Sequence, residues 1–335
     1  MVSKMVKVTP IPLYRNISGR SLFESDNPVF QEYRKRWEEQ PLQFMTGEFP
    51  LFLDIEVTNM CNLRCTFCAT TYFAPDVKRQ LIAPELVYKI LDEGKENGLY
   101  GVKFNDRGEP LLHPHLIDFV RYAKKCGLVD VYFNTNAMLL TEKKATALIE
   151  AELDRISISI EGFKAHIYEQ YRVGAKFETV TGNVRRLWQL RKEVGASKPL
   201  IRIQTVLLPE VERELEQYRD FWGPYADEIS VLEYKEESDQ SRRMKGIKYS
   251  WACNQLWQRM VVWCDGSILP CNEDDKGFLK IGNINEMNIK DAWESEKILK
   301  IRETHRSGNA YQIIACDDCY LRDAQIKKLN SKTAG

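Results

Sequence analysis

The chain has 335 residues, with 48 Lys and Arg against 48 Asp and Glu, and 44% of its residues are hydrophobic. This composition is typical of a globular protein, and the balanced charge gives no reason to expect nucleic acid or an anionic membrane as a partner. No run approaches the ~20 apolar residues of a membrane span, and the N-terminus lacks the apolar core of a signal peptide. We therefore predict a cytoplasmic protein, in which the nine cysteines are better interpreted as metal ligands than as disulfides.

Strand-like apolar runs alternate with helix-length segments through most of the chain. The predicted strands cover residues 51–57, 100–104, 129–133, 154–160, 200–206 and 228–233. The predicted helices cover residues 84–97, 115–126, 141–150, 177–194 and 210–222, after a first helix at 28–37. Because a closed barrel needs eight units and only six are found, we predict an α/β fold with a partial (β/α)6 TIM barrel. In such a sheet, active groups collect on the loops after the strands.

Three cysteines follow the first predicted strand: Cys61, Cys65 and Cys68, at the spacing Cys-x3-Cys-x2-Cys. This loop supplies three thiolates, whereas a 4Fe–4S cube needs four ligands, so one iron would keep an open position for a small molecule. The alternative is three buried cysteines or half of a zinc site, although zinc pairs usually have a matching distal pair.

A second set of four cysteines follows a polar stretch near residue 240: Cys253, Cys271, Cys316 and Cys319. Between them, residues 263–271 carry Asp-Gly at a central turn and predict a hairpin. A predicted helix over 288–305 separates this hairpin from the closing Cys-x2-Cys. Four thiolates can enclose a metal completely and leave no open position, and zinc is the alternative occupant of such a site.

Both cysteine patterns resemble known signatures. The first loop, with Phe67 as its aromatic residue, resembles the Cys-x3-Cys-x-aromatic-Cys motif of the radical S-adenosylmethionine (AdoMet) superfamily. The subpattern Cys-x12-Gly-x4-Cys, with Gly266 as its glycine, resembles the Twitch form of the SPASM domain, with the spacing of the 2-deoxy-scyllo-inosamine dehydrogenase type. The resemblance spans about residues 50–320. It implies two 4Fe–4S clusters, one catalytic and one auxiliary, with AdoMet chelated by the open iron of the first.

The resemblance also assigns roles to the loop after the second predicted strand. Gly108 and Glu109 match the end of the family's Gly-Gly-Glu motif, which binds the AdoMet amino group, and Arg107 stands where the first glycine is expected. Arg107 is therefore a hypothetical contact for an anionic or hydroxylated substrate. Without the resemblance, Gly-Glu-Pro predicts a simple turn.

Further strand ends carry polar residues that the resemblance places around AdoMet or substrate. Asn134 and Ser159 suit ribose hydroxyls or a carboxylate, although both residue types also cap turns. Arg172, the last residue of a Tyr-x-x-x-Arg segment, would pair with the AdoMet carboxylate, or else form a surface ion pair. Glu233, at the end of the sixth strand, is a candidate to bind substrate or exchange a proton with it, or a solvent-facing carboxylate. Cys264, on the hairpin, is structural by default and a candidate hydrogen-atom donor.

The predicted organisation is an N-terminal helical cap at 1–49, the partial barrel at 50–234, a linker at 235–250, a small Twitch iron–sulfur domain of β-hairpin plus helix at 251–325, and a tail at 326–335. The resemblance implies a radical AdoMet oxidoreductase. An adenosyl radical would take hydrogen from a carbon of a small hydroxylated substrate, such as a sugar or aminocyclitol, and the auxiliary cluster would accept the remaining electron to give a ketone. An external one-electron donor of the flavodoxin or ferredoxin type would reduce the catalytic cluster.

Other functions stay open at this point. Within the same superfamily, the alternatives are an epimerase with Cys264 as hydrogen donor and a peptide-modifying enzyme. Outside it, the alternative is a non-catalytic metal-binding or electron-transfer protein, including a zinc-stabilised one. An open three-thiolate site favours the enzyme, because neither of those proteins needs an unfilled metal position.

Overall fold

In the computed structural model, residues 7–8, 15–72, 77–233, 245–249 and 251–333 are described. The strands are β1 (Lys7–Val8), β2 (Arg15–Gly19), β3 (Phe52–Ile55), β4 (Arg64–Cys65), β5 (Gly101–Lys103), β6 (Asp130–Thr135), β7 (Arg155–Ser159), β8 (Arg172–Val173), β9 (Leu200–Leu207), β10 (Glu228–Glu233), β11 (Trp251–Ala252), β12 (Arg259–Val262), β13 (Ser267–Leu269) and β14 (Gly282–Asn283). The helices are α1 (Pro28–Leu42), α2 (Pro84–Glu96), α3 (Leu116–Lys125), α4 (Glu142–Glu150), α5 (Ala165–Tyr171), α6 (Phe177–Glu193), α7 (Pro209–Arg213), α8 (Leu215–Trp222), α9 (Ile289–Glu294), α10 (Glu296–Arg306), α11 (Ile314–Asp317) and α12 (Tyr320–Thr333).

One sheet organises the molecule, in the strand order β14-β13-β12-β3-β5-β6-β7-β9-β10-β2. Its six central strands, β3, β5, β6, β7, β9 and β10, pair in parallel, each with the next. These are the six strands predicted from the sequence, so the partial barrel is confirmed. The loops that follow them open at one edge of the sheet.

Alternation along the strands separates two faces of the barrel sheet. In β3, Leu53 and Ile55 belong to a large apolar cluster that includes Val87 and Ile90 of α2. Phe52 instead joins a smaller cluster with Tyr33 of α1. Since side chains of a strand alternate between faces, the long helices cover one face and the N-terminal segment covers part of the other.

The N-terminal segment differs from the predicted helical cap. Helix α1 begins after Asn27, whose side chain accepts from the backbone nitrogens of Val29 and Phe30 at 2.9 and 3.2 Å, and it extends to Leu42, beyond the predicted end at 37. The segment also contributes β2, an antiparallel edge strand beside β10, which the sequence did not predict. Strand β2 forms because a distant strand offers it a free edge.

The C-terminal cysteine-rich region continues the same sheet. Strand β12 pairs in parallel with β3, and β13 returns antiparallel to β12, so the predicted hairpin is confirmed. Its turn contains Gly266, whose φ of +84° lies in the left-handed region that favours glycine. Most of the linker predicted at 235–250 lies outside the described residues, and the domain boundaries stay predictions.

Two predicted helices are interrupted. The helix predicted over 210–222 is divided into α7 and α8 at Glu214, whose carboxylate pairs with Lys164. The helix predicted over 288–305 is divided into α9 and α10 at Ser295, where the backbone is extended. The Ser295 hydroxyl donates to the carbonyl of Ala292, an alternative to helical bonding that serine often provides. Among the described residues, no helix is long and apolar enough to cross a membrane.

Candidate active site and metal centre

The three-cysteine loop follows β3, at the edge where the barrel's strand-end loops gather. Cys65 is 7% exposed, and Cys61 and Cys68 are half-buried. Cys65 lies in the short strand β4, which pairs antiparallel with β8 and sets Cys65 opposite Arg172. Burial raises the pKa of Cys61, and it raises the pKa of Cys65 to about 11. The thiolates that bind metals therefore need a compensating positive charge here.

Gly108 packs directly against this loop. Its φ is +75°, and a Cβ atom at this position would lie 2.4 Å from the carbonyl oxygen of Thr58 and 2.7 Å from that of Met60. The neighbouring Glu109 nitrogen donates to the same Met60 carbonyl at 2.8 Å. Only glycine permits this approach, which brings the loop after β5 against the cysteine loop.

Glu109 is buried and accepts three hydrogen bonds from the protein. The donors are the backbone nitrogen of Leu111 at 3.0 Å, the hydroxyl of Thr135 at 2.7 Å and the backbone nitrogen of Asn136 at 2.8 Å. Burial raises the pKa of Glu109, and these bonds oppose the shift. A carboxylate offers about four acceptor positions, so one is left for a further donor.

Arg172 is buried, so the alternative of a surface ion pair is wrong. Its guanidinium pairs with Glu161, with Nη2 at 2.9 Å from Oε1, and its Nη1 lies 3.9 Å from Sγ of Cys65. The guanidinium also lies 5.6 Å from the ring centre of Phe67. The Glu161 carboxylate keeps the pKa of Arg172 well above its usual range, although burial opposes the charged form. A fixed cation thus stands beside one cysteine sulfur.

Two strand-end amides lie near the same loop. The Asn134 side-chain oxygen is buried and accepts no hydrogen bond within the described part of the chain. Asn136 donates through Nδ2 to Asn62 at 2.9 Å and approaches Sγ of Cys61 at 3.8 Å. A buried oxygen without a donor is costly unless a ligand supplies one. Ser159, one strand further on, accepts from Gln204 at 3.0 Å.

Arg107 joins the barrel to the hairpin instead of pointing at open space, which corrects the hypothesis of a free substrate contact. Its Nη2 lies 2.9 Å from Oε1 of Glu56, and its guanidinium lies 3.5 Å from the ring centre of Trp263. The Cys264 nitrogen donates to the same Glu56 oxygen at 3.3 Å. Burial and Glu56 raise the pKa of the Cys264 thiol well above its usual range.

Asp106 lies beside this group. The indole nitrogen of Trp263 donates to its carboxylate at 2.9 Å. Burial raises the pKa of Asp106 to about 7, against the opposing charge of Lys103, and Glu56 adds to the rise. Glu233 ends β10, and its side chain lies outside the described part of the structure.

The four C-terminal cysteines, Cys253, Cys271, Cys316 and Cys319, line one cavity. Cys253 follows β11, Cys271 follows β13, Cys316 lies in α11, and Cys319 directly precedes α12. Burial raises the pKa of Cys253, Cys271 and Cys316. The sequence pattern grouped these four residues, and the fold brings them to one place.

The cavity suits a cluster better than a single ion. Within the described residues, no three His, Cys, Asp or Glu side chains meet at the spacing of one metal ion. A 4Fe–4S cube binds each thiolate through a different iron, so its ligands stand further apart than those of one zinc ion. The four cysteines around one buried cavity therefore fit a cube.

Four residues near these sites were missed by the sequence analysis: Glu56, Asn136, Glu161 and His305. Glu56, Asn136 and Glu161 each follow the end of a barrel strand, and the strand-end rule identifies them once the strand limits are known. His305 bonds the Cys253 nitrogen and approaches the Cys316 sulfur, at 3.2 and 3.3 Å. No sequence spacing indicates that contact.

The structure thus combines a partial parallel barrel, three thiols on a strand-end loop and a C-terminal cavity lined by four cysteines. The sequence matches the Radical SAM superfamily over residues 55–221 and the SPASM family, an iron–sulfur cluster-binding domain, over residues 253–320. The chain belongs to the radical AdoMet superfamily and carries a C-terminal SPASM domain. Its cofactors are two 4Fe–4S clusters and AdoMet.

Similar proteins are found both by sequence and by structure. A tungsten-containing aldehyde ferredoxin oxidoreductase cofactor-modifying protein from Pyrococcus furiosus is 26% identical over 82% of this chain and 88% of its own length. The structure of BtrN in complex with AdoMet and 2-DOIA has a TM-score of 0.57 at 20% identity, over 82% of this chain and 94% of BtrN. The structure of Streptococcus suis SuiB bound to S-adenosylmethionine has a TM-score of 0.62 at 19% identity, over 83% of this chain and 74% of SuiB. At these identities the two structures establish the fold alone.

Proposed function

We propose that the protein is a radical AdoMet dehydrogenase, which oxidises a hydroxyl-bearing carbon of a small substrate to a ketone. The observation that carries this proposal is the pairing of an open three-thiol loop with a four-thiol cavity. A fully ligated cluster has no position for AdoMet, so its simplest role is to exchange electrons. BtrN, whose fold is similar, binds AdoMet and 2-DOIA.

The overall reaction balances without an added oxidant. The alcohol and AdoMet give ketone, 5′-deoxyadenosine, methionine and one released proton. The substrate's C–H hydrogen enters the methyl group of 5′-deoxyadenosine, and its hydroxyl hydrogen leaves as the proton. One electron enters to cleave the sulfonium and one leaves the substrate radical, so the two cancel.

In this proposal Cys61, Cys65 and Cys68 hold the catalytic cluster, and the four C-terminal cysteines hold the auxiliary one. When bound, the clusters supply the one-electron chemistry, at the AdoMet sulfonium and at the substrate radical respectively. Arg172 stabilises the Cys65 thiolate through the nearby positive charge that Glu161 fixes.

The proposed AdoMet contacts are polar groups that can still form a hydrogen bond. The unused acceptor position of Glu109 suits the ammonium group, and Gly108 leaves room for the close approach of the two loops. The buried Asn134 oxygen suits a ribose hydroxyl. Ser159 offers its hydroxyl hydrogen, since its oxygen already accepts from Gln204.

The cysteine assignments are tested by iron and sulfide analysis after anaerobic reconstitution. We expect about eight irons per chain in the wild type and about four in the Cys61/Cys65/Cys68→Ala variant, because each cube holds four. Cys126→Ala is the matched control, since Cys126 ends α3 outside both sets, and it should keep the wild-type content. Four irons in the wild type and none in the triple variant would remove the auxiliary cluster and the dehydrogenase proposal with it.

The reaction itself is tested with a panel of polyols, sugars and aminocyclitols under reducing conditions. A dehydrogenase should form ketone and 5′-deoxyadenosine in equal amounts. If AdoMet is cleaved but the substrates are converted only to epimers, the dehydrogenase proposal is wrong, whereas the assignment as a radical AdoMet enzyme is unaffected.

Epimerisation is the second candidate, because burial and Glu56 keep the Cys264 side chain as a thiol. A hydrogen-atom donor must carry that S–H hydrogen. In heavy water an epimerase should place solvent deuterium in the product, and Cys264→Ala should abolish both inversion and deuterium uptake. Cys126→Ala should leave them unchanged, and an unaffected Cys264→Ala enzyme excludes this role.

A further inference from the structure

His305 connects two of the cysteines that line the C-terminal cavity. It lies in the last turn of α10 with 1% of its surface exposed, and it lines the cavity itself. Its Nδ1 is 3.2 Å from the backbone nitrogen of Cys253, and its Nε2 is 3.3 Å from Sγ of Cys316. The ring of Trp251 packs beside it, with centroids 6.2 Å apart.

These two contacts fix which ring nitrogen carries the proton. The backbone nitrogen of Cys253 can only donate, so Nδ1 of His305 must be an unprotonated acceptor. An imidazole whose Nδ1 accepts carries its hydrogen on Nε2. That N–H is directed at the sulfur of Cys316.

We propose that His305 is a positioning residue of the auxiliary cluster, which donates an Nε2–H hydrogen bond to the Cys316 sulfur and raises the cluster's reduction potential. The proposal rests on the assignment of Cys253 and Cys316 as ligands in the proposed function. His305 acts through Cys316, and its second bond holds the backbone of Cys253 in place.

The direction of the effect follows from electrostatics. Reduction adds one electron to the cluster and increases the negative charge on its cysteine sulfurs. A hydrogen bond to a charged acceptor is stronger than one to a less charged acceptor, so the N–H stabilises the reduced state more. Hydrogen bonds to the sulfurs are among the factors that set the potentials of iron–sulfur clusters. A higher potential makes the cluster a better acceptor for the substrate's electron.

Three substitutions separate the two bonds. His305→Gln places an amide N–H near the position of Nε2 and should keep the bond to sulfur. His305→Asn is shorter, so it should keep an acceptor for the Cys253 nitrogen and lose the donor to Cys316. His305→Leu removes both. His113 is the matched control, because it is also buried but bonds to the carbonyl of Ile82 at 3.1 Å instead of a cysteine.

The measurement is a dithionite titration of the full-length chain in the Cys61/Cys65/Cys68→Ala background, followed by electron paramagnetic resonance. For His305→Asn and His305→Leu we expect about a tenfold lower ratio of reduced to oxidised cluster at a fixed potential, or about 59 mV for a one-electron couple. His305→Gln should recover most of this loss, and His113→Gln should not change the potential. Unchanged potentials in all three His305 variants that retain about four irons would overturn the proposal and leave the ligand assignment intact.

A second readout needs no substitution at His305. In the same background, protein labelled with 15N-histidine should show a hyperfine coupling between the reduced cluster and one histidine nitrogen, with an exchangeable proton that deuterium replaces. Absence of this coupling overturns the proposal for His305. If the background protein holds no cluster, the cysteine assignment fails instead, so the two failures are distinguishable.

Discussion

Asp54 forms ion pairs that connect the barrel to the C-terminal region, and we expect its negative charge to be essential for the free energy of unfolding. Its carboxylate lies 2.7 Å from Nζ of Lys103 and 3.0 Å from Nη1 of Arg259. These residues occupy the neighbouring strands β3, β5 and β12, and their exposed fractions are 0, 7 and 8%. Asp54→Asn keeps the shape but leaves two buried cations without a counter-charge. Breaking a buried pair in this way costs about 3–5 kcal/mol.

This cost converts into a measurable shift of Tm. An unfolding entropy of about 2.1 cal/mol/K per residue gives about 0.7 kcal/mol/K for 335 residues. A loss of about 4 kcal/mol therefore lowers Tm by about 6 °C. We would measure Tm by anaerobic scanning calorimetry of the reconstituted protein, with bound iron determined in parallel.

Two further variants make the result interpretable. Glu32→Gln breaks an ion pair with Arg36 in which both side chains are about half exposed, so it should lower Tm by about 1 °C or less. Arg259→Met in the Asp54→Asn background removes one of the uncompensated cations and should recover part of the loss. A Tm for Asp54→Asn as close to the wild type as that of Glu32→Gln would refute the assigned role of the buried pair.

Three other predictions concern the active-site side of the barrel. Gly108→Ala should lower the iron content to about four per chain, because its Cβ would clash with the cysteine loop. Gly98→Ala is the control: Gly98 has a similar φ of +76° and no atom within 4 Å of the added Cβ, so this variant should keep both clusters. Equal iron contents in the two variants would contradict this prediction. Glu161→Gln should slow 5′-deoxyadenosine formation at least about tenfold, because the buried Arg172 loses its counter-charge, and an unchanged rate would exclude that role. For Asp106 the folded pKa of about 7 lies above the ordinary 3.8, so its contribution to stability is full below pH ~4 and is lost as pH rises toward 7. Asn at position 106 does not titrate, so the free energy of unfolding of Asp106→Asn should rise relative to that of the wild type by up to about 1.4 kcal/mol per pH unit between pH 5 and 7. A difference in Tm between the two proteins that is constant with pH would contradict the raised pKa of Asp106.

The features predicted correctly depend on short stretches of sequence. The parallel strands are apolar runs separated by helix-length segments, so the six-unit barrel follows from their count and order. The hairpin depends on Asp265 and Gly266, and the positive φ of Gly266 is a requirement of that turn alone. The strands and the turn could be predicted because each is determined by the residues that form it.

The features missed depend on partners that are distant along the chain. Strand β2 pairs with β10 near the other end of the barrel, and the Leu22 nitrogen donates to the Glu228 carboxylate at 2.8 Å. Arg172 could be placed at the active site by resemblance, but no sequence signal indicates that Glu161, eleven residues earlier, is its counter-ion. His305 has neither a cysteine nor a motif beside it. The identity of a charged or polar residue does not indicate which distant residue it will contact, because the packing of the whole sheet determines that contact.

Arg107 shows how such a long-range contact changes the meaning of a sequence departure. It stands where the resembling motif has glycine, and its guanidinium pairs with Glu56, five residues before Cys61. Its Nη1 also donates to the carbonyl of Asp275 at 3.3 Å, and the adjacent Asp274 lines the four-cysteine cavity. One half-buried side chain thus joins the loop of the first cysteine set to the loop that follows Cys271. Since the register of β12 beside β3 sets Val262 opposite Ile55, it also brings Cys264 next to Glu56. The departure from glycine is therefore best explained as a structural contact between the three-cysteine loop and the four-cysteine region.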